Sequence, residues 1–163
     1  MGRHLRRAVL AAALLSAAGA AQAGSGSNCN LILCVTIDAT DLAFGNYAPL
    51  SGSVTDSTST ISISARLLLS LLPTAVSYTL GLSTGAGTVA QRKLTLTTGT
   101  NTLNYNLYTD SMRSTVWGAS SVSGSTSGIT GNASNTVYGR IAASQTTAVP
   151  GSYADTIVVT ITF

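Results

Sequence analysis

Short runs in which apolar and polar residues alternate recur along the chain, separated by stretches rich in Ser, Thr, Gly and Asn. The clearest run is the last. Ile157, Val159, Ile161 and Phe163 share one face, and Val158, Thr160 and Thr162 the other. This is the period of a strand with one buried side. At about 1.5–3 kcal/mol per buried side chain, that face offers roughly 6–12 kcal/mol as an upper estimate. A strand that buries four large side chains normally has neighbours on both sides. No polar tail, turn or further strand follows Phe163 in this sequence, so what lies beside this strand becomes the functional question.

The earlier runs read in the same way. Leu31, Leu33, Val35 and Ile37 alternate within Cys29–Asp38. Leu42 and Phe44 share parity ahead of Gly45, which permits a bulge or bend. Residues 49–59 read as a loop, and Ile61 and Ile63 as the inward positions of a strand over 60–65. Leu67–Leu72 breaks the alternation and leaves open a doubly buried strand, a short helical turn or an exposed patch. Val76, Tyr78, Leu80 and Leu82 line one face of the next strand. Leu94 and Leu96, then Leu103, Tyr105 and Leu107, mark two strands joined by a turn at 99–101, a hairpin. Thr115–Gly118 reads as a short strand, 119–135 as a surface loop or one weak edge strand, and Val137–Ile141 as a further strand. Eight or nine short strands without an amphipathic helix predict an all-β sandwich, with a closed barrel as the second choice. A membrane barrel fits poorly, because the strands are too short to span and lack aromatic girdles.

The first 23 residues stand apart from this pattern. Arg3, Arg6 and Arg7 form a basic start, Ala8–Ala20 a short apolar run, and Ala21-Gln22-Ala23 a small-x-small cleavage site. Residues 1–23 therefore read as a secretory signal peptide and 24–163 as the exported domain. The apolar run is well short of the ~20 residues of a spanning helix. Of eight basic residues, three lie in the leader, leaving five against the five acidic residues. The processed chain is then formally neutral, and the basic balance of the whole carries no argument for nucleic acid.

His4, the single histidine, leaves with the leader, and all five acids are aspartates. The processed chain cannot build a Ser-His-Asp or Cys-His site and is short of metal ligands. No phosphate-binding, dinucleotide-binding or CxxC motif is present. Catalysis, cofactor and metal are therefore not expected. The triplet Asn132-Ala133-Ser134 fits a glycosylation sequon but is short enough to arise by chance. Export permits a bond between Cys29 and Cys34, the only cysteines. In an extended strand they would stand ~16 Å apart, whereas a disulfide needs Cα atoms within ~7 Å. The segment between them must turn back for the bond to form. The alternative is an extended strand with two thiols free or paired between molecules.

Several phrases, taken in order, resemble the spore coat protein U domain family, which includes subunits of archaic chaperone–usher pili. They are Leu42-Ala43-Phe44-Gly45-Asn46-Tyr47, Arg92-Lys93-Leu94, Leu103–Asp110, Thr115-Val116-Trp117-Gly118, Val137-Tyr138-Gly139-Arg140-Ile141 and Gly151–Thr160. The resemblance covers about Cys34 to Phe163. It implies an incomplete immunoglobulin-like β-sandwich lacking its final strand, which a periplasmic chaperone and then a neighbouring pilus subunit supply, assembly passing through an outer-membrane usher. Strand addition of this kind takes affinity from main-chain hydrogen bonds and register from alternate side-chain pockets. Ile157, Val159, Ile161 and Phe163 would line one wall of the acceptor groove. The implied location is the periplasm and then the cell surface, with no stable membrane insertion and no nucleic-acid partner.

The sequence departs from the family at two places. Where family members commonly place the second cysteine of a sheet-linking pair, Ala65 stands here. Only Gly24–Asn28 separate the cleavage site from Cys29, and they carry no apolar side chain. Either Asn30–Ile37 is itself the donated strand, or the chain donates none and ends a fibre or does not polymerise. A different class of function, a self-sufficient module for a surface glycan, would use Trp117, Tyr108, Tyr138 and Tyr47 as stacking platforms.

Overall fold

The computed structural model describes residues 4–11, 24–29, 33–67, 75–127 and 129–163. The strands are β1 (His4–Ala11), β2 (Gly24–Cys29), β3 (Leu33–Ala39), β4 (Thr55–Leu67), β5 (Ala75–Leu82), β6 (Arg92–Leu96), β7 (Thr102–Tyr108), β8 (Val122–Ser127), β9 (Thr130–Ile141), β10 (Tyr153–Ala154) and β11 (Thr156–Thr162). All pair antiparallel. They form a four-stranded sheet of order β1-β11-β5-β8 and a seven-stranded sheet of order β10-β6-β7-β9-β4-β3-β2. Among the described residues no helix is long and apolar enough to cross a membrane.

The alternation seen in the sequence is what closes the two sheets on each other. From the smaller sheet, Tyr78, Leu80, Leu82, Ile157, Val159 and Ile161 are buried; from the larger come Val35, Ile37, Ile61, Ile63, Leu94, Leu103, Leu107, Val137 and Ile141. They join in one core cluster, as period-two strands on facing sheets require.

One irregular segment also enters this core. Leu42, Phe44 and Tyr47 are buried although residues 40–47 form no strand. Gly45 takes φ +69°, a left-handed turn that favours glycine. Leu42 and Phe44 fill the space that a side chain on Gly139 would need: a Cβ there would lie 2.8 Å from Phe44 and 2.9 Å from Leu42. The Phe44 ring meets Tyr105 edge-on at 5.9 Å, and the Tyr47 hydroxyl donates to the Ala142 carbonyl at 2.9 Å.

Several expectations need correction. The strand expected over 60–65 begins at Thr55, inside the stretch read as a loop, because Thr55 to Ser59 pair with Ile141 to Val137 of β9. The strand expected from Val137 begins at Thr130, and Val122–Ser127 forms the edge of the smaller sheet. Ser, Thr and Gly carry little strand signal of their own, and here pairing with a neighbouring strand of the same sheet overrides it. Thr115–Gly118 is not a strand; it touches β7 through one bridge, Val116 to Tyr108. Gly24–Asn28, which carries no apolar side chain, lies within β2. Leu67 closes β4 and is buried, whereas residues 68–72 of the leucine-rich run lie outside the described residues.

Replacing Gly139 with alanine should destabilise the domain by about 1–3 kcal/mol, the usual cost of overpacking. A urea midpoint unchanged in Gly139→Ala would show that Leu42 and Phe44 can move aside.

Candidate strand-acceptor groove

β11 is the strand on which the candidate site is built. Ile157, Val159 and Ile161 are at most 1% exposed, and Phe163 is partly buried against the same core. On one side, β11 pairs with β5: Val159 stands opposite Leu82, Thr160 opposite Gly81, and Ile161 opposite Leu80. Gly81 is required there for space, because a Cβ would collide with the Ala119 backbone carbonyl. Phe163 lies beyond the last paired residue, Thr162.

On the other side, β11 pairs with β1, the first strand of the chain. Leu5 stands opposite Ile161, Arg6 opposite Thr160, Val9 opposite Val158, and Leu10 opposite Ile157, with a register shift between Arg6 and Val9. Among the described residues, β11 is the one strand that pairs with β1. The segment that completes the sheet thus lies at the opposite end of the sequence, within the stretch read as a removable leader. Residues 12–23, including the cleavage site, lie outside the described residues. Sequence reading assigned His4–Ala11 to the leader and gave it no place in a sheet. Its Leu5, Val9 and Leu10 are a weak apolar signal that the basic flank obscured.

The start of β11 is held by a buried polar network. Asp155 accepts hydrogen bonds from the Tyr105 hydroxyl at 2.7 Å, the Ala86 amide at 3.0 Å and the Thr156 amide at 2.8 Å. Nearby, the fully buried Arg92 donates to the Ser83 carbonyl at 2.9 Å, the Asn106 side-chain oxygen at 2.7 Å and the Trp117 carbonyl at 2.8 Å. Asn106 in turn donates to the carbonyls of Val89 and Ala90. Burial pushes the Asp155 carboxyl above the usual carboxylate range, against the pull of its three donors. It lowers Arg92 and raises Tyr105 for the same reason. These groups tie the β5–β6 connection, β7 and residue 117 to the point where β11 begins. Sequence reading missed them as a unit. The phrases Arg92-Lys93-Leu94, Thr115–Gly118 and Tyr153-Ala154-Asp155 each carried one member.

The remaining candidates fall as follows. Cys29 and Cys34 are disulfide-bonded, facing each other where β2 turns back to β3; closing so short a loop contributes about 2 kcal/mol in the chain-entropy model. Trp117 is 1% exposed and Tyr47 6%, so neither is available as the stacking platform expected of a glycan module. Tyr108 and Tyr138 are partly exposed and stand opposite each other on β7 and β9. Beside them, Asp56 accepts two hydrogen bonds from Arg140, at 2.7 and 2.8 Å, and Arg113 packs on the Tyr138 ring. Among the described residues, no group of three or more His, Cys, Asp or Glu gathers to hold a metal ion.

A family model described as the Spore Coat Protein U domain matches residues 17–160. Among solved structures, the chain is similar to a chain of the CsuC–CsuE chaperone–tip adhesion subunit pre-assembly complex from the archaic chaperone–usher Csu pili of Acinetobacter baumannii. Identity is 20% and the TM-score 0.53, over 81% of this chain and 40% of that one. The chain thus spans about two fifths of that relative's length, and the likeness is one of fold. A Burkholderia pseudomallei antigen and type I fimbria protein is similar at 17% identity and a TM-score of 0.44, over 100% of both chains. No curated protein matches the chain.

Because the folded Asp155 holds its proton to higher pH than an unfolded aspartate near 4, its contribution to stability should fall as pH rises from about 4 through its raised pKa. The stability of the wild type minus that of Asp155→Asn, from urea titrations across this range, should therefore decrease with rising pH. An increase would show that the three donors outweigh burial.

Proposed function

Because the chain belongs to the Spore Coat Protein U domain family, we propose that it is an exported structural subunit of a surface fibre, completed by a strand from another molecule. The first donor is a periplasmic chaperone, and the second is a neighbouring subunit delivered through an outer-membrane usher. The observation that carries this reading is the partner of β11. The outer edge of that strand is met by His4–Ala11, which the basic start, apolar run and small-x-small site assign to a leader removed on export.

Once the leader is removed, the edge of β11 presents unpaired backbone groups along a strand whose side chains Ile157, Val159 and Ile161 belong to the core. An exposed edge of this kind is a template for strand addition. The chemistry of the slot fits a main-chain partner: the amide and carbonyl groups on that edge supply affinity, and the alternate apolar positions fix register. Adhesion or biofilm formation is the proposed use of the fibre. Ile157, Val159, Ile161 and Phe163 are assigned to the wall of the slot, and catalysis is not part of the reading.

The test is export of the chain with and without a supplied strand. The processed chain alone should be recovered poorly or as aggregate. A variant with an alternating apolar strand fused by a flexible linker after Phe163 should be soluble, monomeric and markedly more heat-stable. Stable monomer from the unfused processed chain would overturn the reading. In the fused protein, Val159→Ala should cost about 2–3 kcal/mol, at the low end of large-to-small core changes, whereas Thr160→Ala on the other face should stay within about 0.5 kcal/mol.

A further inference from the structure

The described residues ahead of β3 are all engaged by this chain itself. β2 runs along β3 from Gly24 opposite Ala39 to Cys29 opposite Cys34, and the disulfide closes its turn end. β1 is seated on β11. The alternating run offered by the sequence as a strand to donate is no freer. Its described part, from Leu33 onward, is β3, paired with β2 on one edge and with β4 on the other, from Leu33 opposite Leu67 to Ala39 opposite Ile61. Val35 and Ile37 are each 1% exposed and belong to the core.

A strand held on both edges, with side chains in the core, cannot be handed to a neighbour without opening its own domain. β2 is more weakly held on its outer edge, but it offers only Gly, Ser, Asn and the bonded Cys29. Such a strand has nothing to place in the alternate apolar pockets that give strand addition its register. Resting on the acceptor role proposed for β11, we infer that this chain accepts a strand but donates none. A subunit that receives from one neighbour and gives to none has one partner along the fibre, so it stands at an end of the assembly. The Cys29–Cys34 bond fixes this role by clamping the processed N-terminal segment into the chain's own larger sheet.

The experiment compares two exported precursors carrying the native leader. One is the wild type. The other has about ten residues of alternating Val and Thr, one strand's length, with a short Gly-Ser linker, inserted between Ala23 and Gly24. Periplasmic extracts are run unheated on denaturing gels and by size exclusion with light scattering. The wild type should give no ladder of its own multiples, and the insertion variant should give a ladder of several chains. A ladder from the wild type would overturn the inference while leaving the acceptor slot intact. Absence of a ladder from both would mean that the slot takes no strand from another chain, and the acceptor reading would fall together with the inference.

Discussion

A strand at the edge of a sheet carries a row of amides and carbonyls that water, or another strand, must satisfy. In most sandwiches the edge strands are short, polar or covered. Here the strand between β5 and the first strand of the chain is neither short nor polar on its inner face. Ile157, Val159 and Ile161 are core residues, so β11 cannot be displaced to solve its edge problem without dismantling the interior. The neighbour must come to β11. In this structure β5 lies on one side and β1 on the other, and the rest of the molecule holds β11 still between them.

Much of that holding is done by polar groups in an otherwise apolar interior. Arg92 lies in the interior with its guanidinium spread over two backbone carbonyls and one side-chain amide oxygen. Asp155 gathers two amides and a phenol. Buried charge is costly unless its hydrogen bonds are met, and here each bond also does positional work. Ser83, Ala86, Val89 and Ala90 belong to the long β5–β6 connection, which has little apolar content with which to pack. The network gives that connection a fixed place against β7 and the root of β11. Gly81 and Gly139 each leave out a side chain, so that the Ala119 carbonyl can close in beside β5 and Leu42 and Phe44 can enter the core.

The features legible in the sequence were those set by side-chain period. The inner faces of β5, β7 and β11 follow from Val76–Leu82, Leu103–Leu107 and Ile157–Ile161, because each alternates strongly enough to choose a face. The early half of β4 and the early half of β9 were not legible, and the edge strand β8 was one of two readings left open for 119–135. Thr55–Ser59 and Thr130–Thr136 carry little apolar signal, and each is a strand because it pairs with the more apolar half of the other strand, Thr55–Ser59 with Val137–Ile141 and Thr130–Thr136 with Thr60–Arg66. Such pairing joins residues many positions apart, which no local window contains. The apolar face of β11 was legible from its period, but the strand that lies beside it was not. Leu5–Leu10 looks like a leader because it has a leader's composition, and its pairing with β11 depends on an edge formed at the other end of the chain. The Cys29–Cys34 bond lay between these cases: spacing left two geometries open, and the hairpin decided for the closed one.

The antiparallel seating of a strand along β11 also has a mechanical meaning. A pull applied lengthwise to such a strand loads the hydrogen bonds between the two in shear, so that many must give way together. Peeling would let them break one at a time. The anchorage of β11 at Asp155, where the strand begins, places a fixed point at one end of that sheared seam. In the fibre proposed above, a sandwich joined to its neighbour in this way would resist tension by geometry, without a covalent link between subunits.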